Sequence, residues 1–270
     1  VLMDNQELLK IALEASALAE SEILKIYTSD YSVEWKPDST PVTIADKKAE
    51  EIMRNFFAKE TPGFGIIGEE FGIESQEAEY QWILDPIDGT KSFIHGVPLF
   101  GTLIALYKKG KPLVSIIRLP ALHSTLYASE GAGAFIDGNQ IFASKETELS
   151  KALVLSGTLN TMEDKGYGKP FESLRRSARL YRGWGDCYGY YLVATSRADI
   201  MIDPVVSLWD IAPFPLIFKE TGGFFGTFSG ETKLFDEFGK PLASIYEGYT
   251  GFASSKFLAD EVISRFSKIG

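Results

Sequence analysis

Cysteine and histidine are almost absent from this chain, which holds one Cys (Cys187) and two His (His95 and His123) in 270 residues. A single thiol excludes an internal disulfide and fits a reducing compartment, so a cytoplasmic location is expected. So few nitrogen and sulfur ligands also leave little from which to build a Cys/His zinc site. A Ser-His-Asp triad would have to recruit His95 or His123, and no nucleophile elbow accompanies either one. Both read as structural or surface histidines. Positive charge is the second scarcity. Lysine and arginine number 27 against 37 aspartates and glutamates, a formal net charge of −10. That balance argues against nucleic acid or an anionic membrane as partner. It leaves room for a small phosphorylated substrate, because bound metal ions can invert the local sign. Long apolar runs are missing as well. The longest stretch free of Asp, Glu, Lys and Arg runs from Ser92 to Tyr107 and is interrupted by His95, Gly96, Pro98 and Gly101, so no bilayer span is expected. No basic segment leads into an apolar one near the first residues, so no signal peptide is expected. No internal repeat is visible.

What the chain does have is carboxylates at the ends of apolar runs. Trp82-Ile83-Leu84 reads as the end of a buried strand that delivers Asp85-Pro86-Ile87-Asp88-Gly89-Thr90. Asp85 and Asp88 stand three positions apart. Pro86 fixes φ between them and fits a tight turn, and a helix can begin at Gly89-Thr90. Two carboxylates on one rigid corner, beside backbone N–H groups, can hold hard divalent cations together with a phosphate. Taken alone, the segment reads equally well as an Asp-rich surface turn. Matching acids elsewhere favour the metal reading. Gly68-Glu69-Glu70 follows the apolar run Phe64 to Ile67, and Trp209-Asp210 opens an apolar, helix-like stretch. Asp46 closes Pro41-Val42-Thr43-Ile44-Ala45-Asp46, with Lys36 shortly before it.

Hydrophobic residues make up 45% of the chain, enough for a large core in one big domain or two halves. Apolar spacing predicts a helix from Asn5 to Tyr27, opened by an Asp4…Glu7 capping box. A second helix is expected over Ala45 to Ala58. It places Asp46 in its first turn, where a plain capping role is the competing reading. Short β-like runs follow at Gly65 to Ile67, Tyr80 to Leu84, Phe100 to Tyr107, Leu113 to Arg118 and Thr125 to Ala128. Gly131 to Asn139 reads as a strand ending in a turn at Asp137-Gly138-Asn139. The charged, non-periodic stretch Ser144 to Lys151 divides the chain. Residues 1–145 form an α+β half with most of the acids, and residues 146–270 form an α/β half with Asp210. The second half is expected to run strand Leu153 to Ser156, helix Pro170 to Ser177, strand Leu180 to Arg182, helix Asp186 to Ser196, strand Asp199 to Ile202 and helix Asp210 to Glu220. A strand near Gly251 to Ala253 and a helix from Lys256 to Phe266 close it. Pro213 can sit in the first turn of the helix behind Asp210, but Pro215 would lie deeper and should tighten or distort it.

Asp85-Pro86-Ile87-Asp88-Gly89-Thr90, Gly68-Glu69-Glu70, Val42-Thr43-Ile44-Ala45-Asp46 and Trp209-Asp210-Ile211-Ala212 together resemble the inositol monophosphatase family, in motif order and over most of the chain. Glu220-Thr221-Gly222-Gly223 resembles the segment that follows the family's second Asp motif. The resemblance implies an α/β (α+β layered) fold, the α-β-α-β-α sandwich of the inositol monophosphatase and fructose-1,6-bisphosphatase type. It implies a magnesium-dependent phosphate monoester hydrolase with two or three ions per site, working by in-line attack of a metal-bound water. Asp85 would bridge two ions. Glu69 and the Ile87 carbonyl would complete the first site, and Asp88 and Asp210 the second. Asp46 would sit beside the attacking water, directly or through a third ion, and the Thr90 hydroxyl would take or orient the proton. Amides of Gly89 and Thr90 would hold phosphate oxygens. Glu70 reads as an outer acid or a solvated neighbour, and Lys36 as a family lysine or a surface lysine. A homodimer and sensitivity to lithium are implied by the resemblance alone.

The substrate should be chosen by Arg182-Gly183-Trp184-Gly185-Asp186-Cys187-Tyr188-Gly189-Tyr190. Its Gly-Asp-Cys-Tyr-Gly-Tyr run resembles histidinol-phosphate phosphatases of the inositol monophosphatase type, which implies a place in histidine biosynthesis. Asp203 falls where the family often places a Glu that contacts the substrate alcohol. Histidinol carries an ammonium and an imidazole, and a cation in a cleft favours a carboxylate partner. Asp186, with Asp203 and Arg182 as further contacts, would supply it, and Trp184 and the tyrosines could wall the imidazole. Asp186 also reads as a helix cap, and the aromatics as core. Inositol monophosphatase is the alternative activity.

Overall fold

The computed structural model describes residues 3–29, 32–35 and 41–267. Lys36 lies outside the described residues. Helix α1 (Asn5–Tyr27) starts at Asp4, whose side chain accepts from the Gln6 and Glu7 amides while Glu7 reaches back to the Asp4 amide. This is the capping box expected from that spacing. A two-stranded antiparallel ribbon, β1 (Val33–Trp35) with β2 (Pro41–Thr43), leads into α2 (Ile44–Glu60). The chain then builds β3 (Gly65–Gly68), β4 (Gly72–Glu74), β5 (Tyr80–Asp88), the short α3 (Thr90–Ile94), β6 (Gly101–Lys108), β7 (Lys111–Leu119), β8 (Ser124–Ser129), β9 (Gly133–Ile136) and β10 (Asn139–Gln140). These strands form one sheet in the order β10-β9-β8-β7-β6-β5-β3-β4, antiparallel throughout except for β3 beside β5.

Next come β11 (Leu153–Ser156), α4 (Leu159–Asp164), α5 (Gly168–Ser177), β12 (Leu180–Arg182), α6 (Asp186–Ala194), β13 (Ile200–Val206), α7 (Leu208–Ile211), α8 (Phe214–Thr221), β14 (Phe224–Gly226), β15 (Tyr249–Ser254) and α9 (Ala259–Phe266). Their strands make a second sheet in the order β12-β11-β13-β15-β14. Helices α1 and α2 cover the outer face of the large sheet, α6 and α8 fill the space between the sheets, and α4, α5 and α9 cover the far face of the small one. The layering is therefore α-β-α-β-α, as expected.

Strand β5 shows why the apolar run before Asp85 is continuous. Trp82 and Leu84 enter the core under α1 and α2, while Ile83 enters the core between the sheets. A strand covered on both faces has no polar side to write into its sequence. Two local expectations need correction. Asp85 to Asp88 is not a tight turn, because β5 continues through Asp88. Asp85 pairs with Leu103 and Asp88 with Gly101, three steps on β5 against two on β6, which is a one-residue bulge. The helix expected from Asp210 to Glu220 is two helices, α7 and α8, broken around Ala212 and Pro213. Pro213 is the N-cap of α8 and Pro215 lies in its first turn, where a missing N–H leaves no hydrogen bond unmade. The ribbon β1–β2, β4, α4 and β14 were not anticipated. They are three to six residues long, too short for periodicity to mark them. Among the described residues no helix is long and apolar enough to cross a membrane.

Candidate active site

Several chain segments converge on one cleft of about 670 Å³. Residues three apart on a regular strand point to opposite faces. The bulge in β5 cancels that alternation, and carboxylate oxygens of Asp85 and Asp88 come within 4.8 Å of each other and of Asp210. Strand β3 runs parallel to β5, and the Glu69 amide donates to the Leu84 carbonyl at 3.3 Å. Glu69 and Glu70 thereby reach the same cleft, which they line with Asp85, Ile87, Gly89 and Thr90.

Two of the acids are held by the same device. In α2 the Asp46 Oδ2 accepts the Thr43 amide at 2.8 Å and the Thr43 hydroxyl at 2.7 Å. In α7 the Asp210 Oδ2 accepts the Ser207 amide at 2.7 Å. Both are the N3 residues of capping boxes, so the helix cap that competes with a site role is present, and it engages one oxygen of each carboxylate. The Asp88 Oδ2 accepts the Cys187 amide, donated from the N-terminus of α6. The Thr90 hydroxyl donates to the Ile87 carbonyl at 3.0 Å and lies 3.5 Å from Asp46 Oδ1. Asp85 is buried, and its Oδ1 has no hydrogen-bond partner.

The electrostatics of the cluster are unfavourable as it stands. Burial, and then the neighbouring charges of Glu69, Asp88 and Asp210, push the Asp85 carboxyl well above the usual carboxylate range. Burial does the same to Asp88 and Asp210, and the like charge of Asp186 adds to the rise at Asp88, that of Asp88 to the rise at Asp210. Asp46 is raised to about 6 by burial, against the hydrogen bonds from Thr43. Of the described residues lining the cleft, Lys91 alone is cationic. An all-oxygen donor set with an unpartnered buried carboxylate oxygen fits a hard cation such as magnesium, and offers nothing to a metal that wants nitrogen or sulfur.

The family model described as "Inositol monophosphatase family" matches residues 4–269. The chain belongs to the inositol monophosphatase family. It is 41% identical over 201 residues to the histidinol-phosphatase of Chlorobaculum parvum, covering 74% of this chain and 78% of that one. It is 35% identical over 243 residues to the histidinol-phosphatase of Mycobacterium tuberculosis, covering 88% and 89%. The solved structure of the Thermotoga maritima IMPase matches it with a TM-score of 0.83 at 27% identity, over 96% of each chain.

In this inositol monophosphatase family member a second cavity, of about 120 Å³, is lined by Asp88, Asp186, Cys187, Tyr190, Asp203 and Asp210. Asp203, on β13, is raised to about 8 by burial and then by the Asp186 charge, while Tyr190 and the Gly157 amide oppose the rise. Asp186 is not the cap of α6. Gly185 holds that position, and Asp186 is the first helical residue, with φ of +53° and an exposed side chain. Its Oδ2 stands over Gly89, where an added Cβ would lie 3.3 Å from it and 3.0 Å from the Leu99 carbonyl. Gly89 itself has φ of +83°, so this crossing of chains wants glycine twice over.

Of the expected aromatic wall, Trp184 is exposed, whereas Tyr190 is core, stacked on Phe214 at 4.0 Å. Arg182 lines neither cavity. It is exposed on edge strand β12, with its guanidinium on the Tyr181 carbonyl. Sequence reasoning missed the Cys187 amide, Lys91, and Tyr246 and Glu247 in the cleft wall. A backbone amide carries no residue-type signal. The loop that brings Tyr246 and Glu247 is placed by β15 pairing with β13 and by its contacts to Ser207, Leu208 and Trp209.

Proposed function

We propose that this chain is a magnesium-dependent phosphate monoester hydrolase acting on histidinol phosphate. In this reading Asp85, Glu69, the Ile87 carbonyl, Asp88 and Asp210 would hold the ions, with Asp85 shared between the Glu69 side and the Asp88–Asp210 side. Asp46 stands beside the attacking water or on a third ion. The observation that carries it is the Asp85, Asp88 and Asp210 cluster, with its unpartnered buried oxygen, at the floor of the cleft. When bound, magnesium would neutralise the phosphate dianion and make water a better nucleophile. The protein's own residues do the rest. The Thr90 hydroxyl has two acceptors, the Ile87 carbonyl at 3.0 Å and Asp46 Oδ1 at 3.5 Å; turned to Asp46, it would accept a proton of the attacking water while passing its own to that carboxylate. Gly89 and Thr90 present their backbone at the start of α3 to the phosphate. Glu70, near enough to Asp46 to raise its carboxyl, acts on that base through its charge.

The substrate's ammonium is assigned to Asp186 and Asp203, at the mouth and in the wall of the smaller cavity. The two histidinol-phosphatase relatives support this choice, and the IMPase structure supports inositol phosphate as the runner-up. Phosphate release should be measured on histidinol phosphate, inositol 1-phosphate, fructose 1,6-bisphosphate and adenosine 3′,5′-bisphosphate. Histidinol phosphate should lead, exhaustive chelation should abolish turnover, and magnesium should restore it. Full activity in chelator would end the metal reading, and a lead for inositol 1-phosphate would transfer the assignment. Lithium inhibition and a homodimer in sedimentation are expected of the same preparation, as carried over from the family. Asp186→Asn tests selectivity, since it keeps the shape and removes the charge. It should lower kcat/KM for histidinol phosphate by about ten- to a hundredfold and leave p-nitrophenyl phosphate nearly unchanged. Equal losses on both substrates would place Asp186 in the support of the metal cluster instead.

A further inference from the structure

Glu50 belongs to none of the motifs that mark the cleft, yet its side chain is completely buried. It lies one helical turn after Asp46 on α2, so the two side chains share a face of that helix. Its Oε2 accepts the Glu70 amide at 2.8 Å, and its Oε1 accepts the Phe71 amide at 3.2 Å. Arg54, one turn further on, donates its Nε to the same carboxylate at 2.8 Å and an Nη to the Gly72 carbonyl at 2.5 Å. Strands β3 and β4 pair as far as Gly68 and Gly72, which leaves residues 69–71 as the turn between them. The Glu50 carboxylate takes the place of a strand partner for two amides of that turn. Gly68 permits the approach, because a Cβ there would overlap the carboxylate.

We propose that Glu50, locked by Arg54, is a positioning residue for the metal cluster. The proposal rests on the reading of the cleft as a magnesium centre. The Glu69 amide holds one end of the turn to the Leu84 carbonyl of β5, and the Glu50 carboxylate holds the amides of Glu70 and Phe71 that follow. Here one rigid helix carries Asp46 in its first turn and grips the Glu69-Glu70 turn from its second. Glu69 is therefore fixed between β5 on one side and α2 on the other, and α2 ties its turn to Asp46. A buried carboxylate held by two amides and a guanidinium is a costly way to close a turn where apolar packing would serve. Its use here follows if the turn must hold Glu69 near Asp85 and Glu70 near Asp46 against the repulsion of like charges.

Magnesium titration calorimetry on the metal-free protein, beside the magnesium dependence of turnover, tests this. Glu50→Gln keeps the shape and one acceptor oxygen, but it turns an NH2 group toward a backbone N–H. It should raise both the magnesium Kd and the half-saturating magnesium concentration about tenfold or more, while kcat at saturating magnesium stays within about threefold of wild type. Arg54→Lys keeps the charge, loses the contact to Gly72, and should shift the Kd in the same direction by less. Thr61→Val is the structural control. Thr61 is buried at the far end of α2, where its hydroxyl accepts from the Trp82 indole at 3.0 Å. Its loss should lower the Tm and leave the magnesium Kd in place. An unchanged Kd in Glu50→Gln overturns the proposal. If that variant does not fold, an unchanged Kd in Arg54→Lys overturns it, and so does a Thr61→Val variant whose Kd moves in step with its Tm. Wild-type protein that binds no magnesium overturns the metal-centre reading as well, which separates the two failures.

Discussion

Asp85→Asn should reduce kcat/KM by about a thousandfold or more and at the same time raise the Tm of the metal-free protein. The two effects have one cause. Asp85 is the most enclosed of the clustered acids, its Oδ1 has no partner, and burial together with Glu69, Asp88 and Asp210 disfavours its charge. An amide of the same size relieves the repulsion and removes the oxygen that can serve two cations. The gain of Tm on adding magnesium, present in wild type, should be lost in the variant. Calorimetry and steady-state kinetics on the same samples decide the matter. A variant that keeps its magnesium-linked Tm gain would show that Asp85 is not the bridging ligand.

The stability of the metal-free protein should fall as pH rises from about 4 to 8, the Asp46 share of the fall lying between about 4 and 6, opposite to the behaviour of a protein with salt-bridged carboxylates. Asp46 is raised to about 6 and Asp203 to about 8, and Asp85, Asp88 and Asp210 well above the ordinary range. A carboxyl with a raised pKa contributes stability that is complete below its unfolded value, near 3.8 for Asp46. That contribution is lost as pH climbs through the folded value. For Asp46 alone the swing is about 3 kcal/mol, or roughly 5–10 °C in Tm for a chain of this size. Saturating magnesium should flatten the decline, and its Tm gain should grow with pH as the carboxylates ionise. Thermal melts across this range, in chelator and in magnesium, provide the check. A metal-free Tm that holds steady or climbs would mean the cluster is already compensated by protein groups.

Much of this was readable in the residues because it is local. The capping box at Asp4 is set by side chains three positions apart and was expected; those at Thr43 and Ser207 have the same spacing and were not. Most strands and helices after Ser144 follow from apolar spacing, α4, β14 and the break between α7 and α8 excepted, and the acid motifs sit where strands end and helices begin. Asp46, Asp85, Asp88 and Asp210 could be named as a group because carboxylates at such ends recur in one family, not because their spacing shows that they meet.

The rest depends on contacts between distant segments. Asp85 and Asp88 face the same way only because β6 pairs with β5 one residue out of step at Pro86-Ile87. Asp88 is oriented by an amide from α6, 99 positions later in the chain. Pro215 looked deep in a helix until the break at Ala212 and Pro213 made it the opening of a new one. Arg182, expected as a substrate contact, stands exposed on edge strand β12 and lines neither cavity. Glu50 had no visible role, because its partners are backbone amides 20 and 21 positions away. Residue types and their periodicity decide which elements form and which side chains carry charge. Long-range pairing decides which way those side chains point, because a single added residue in a strand reverses every face that follows it.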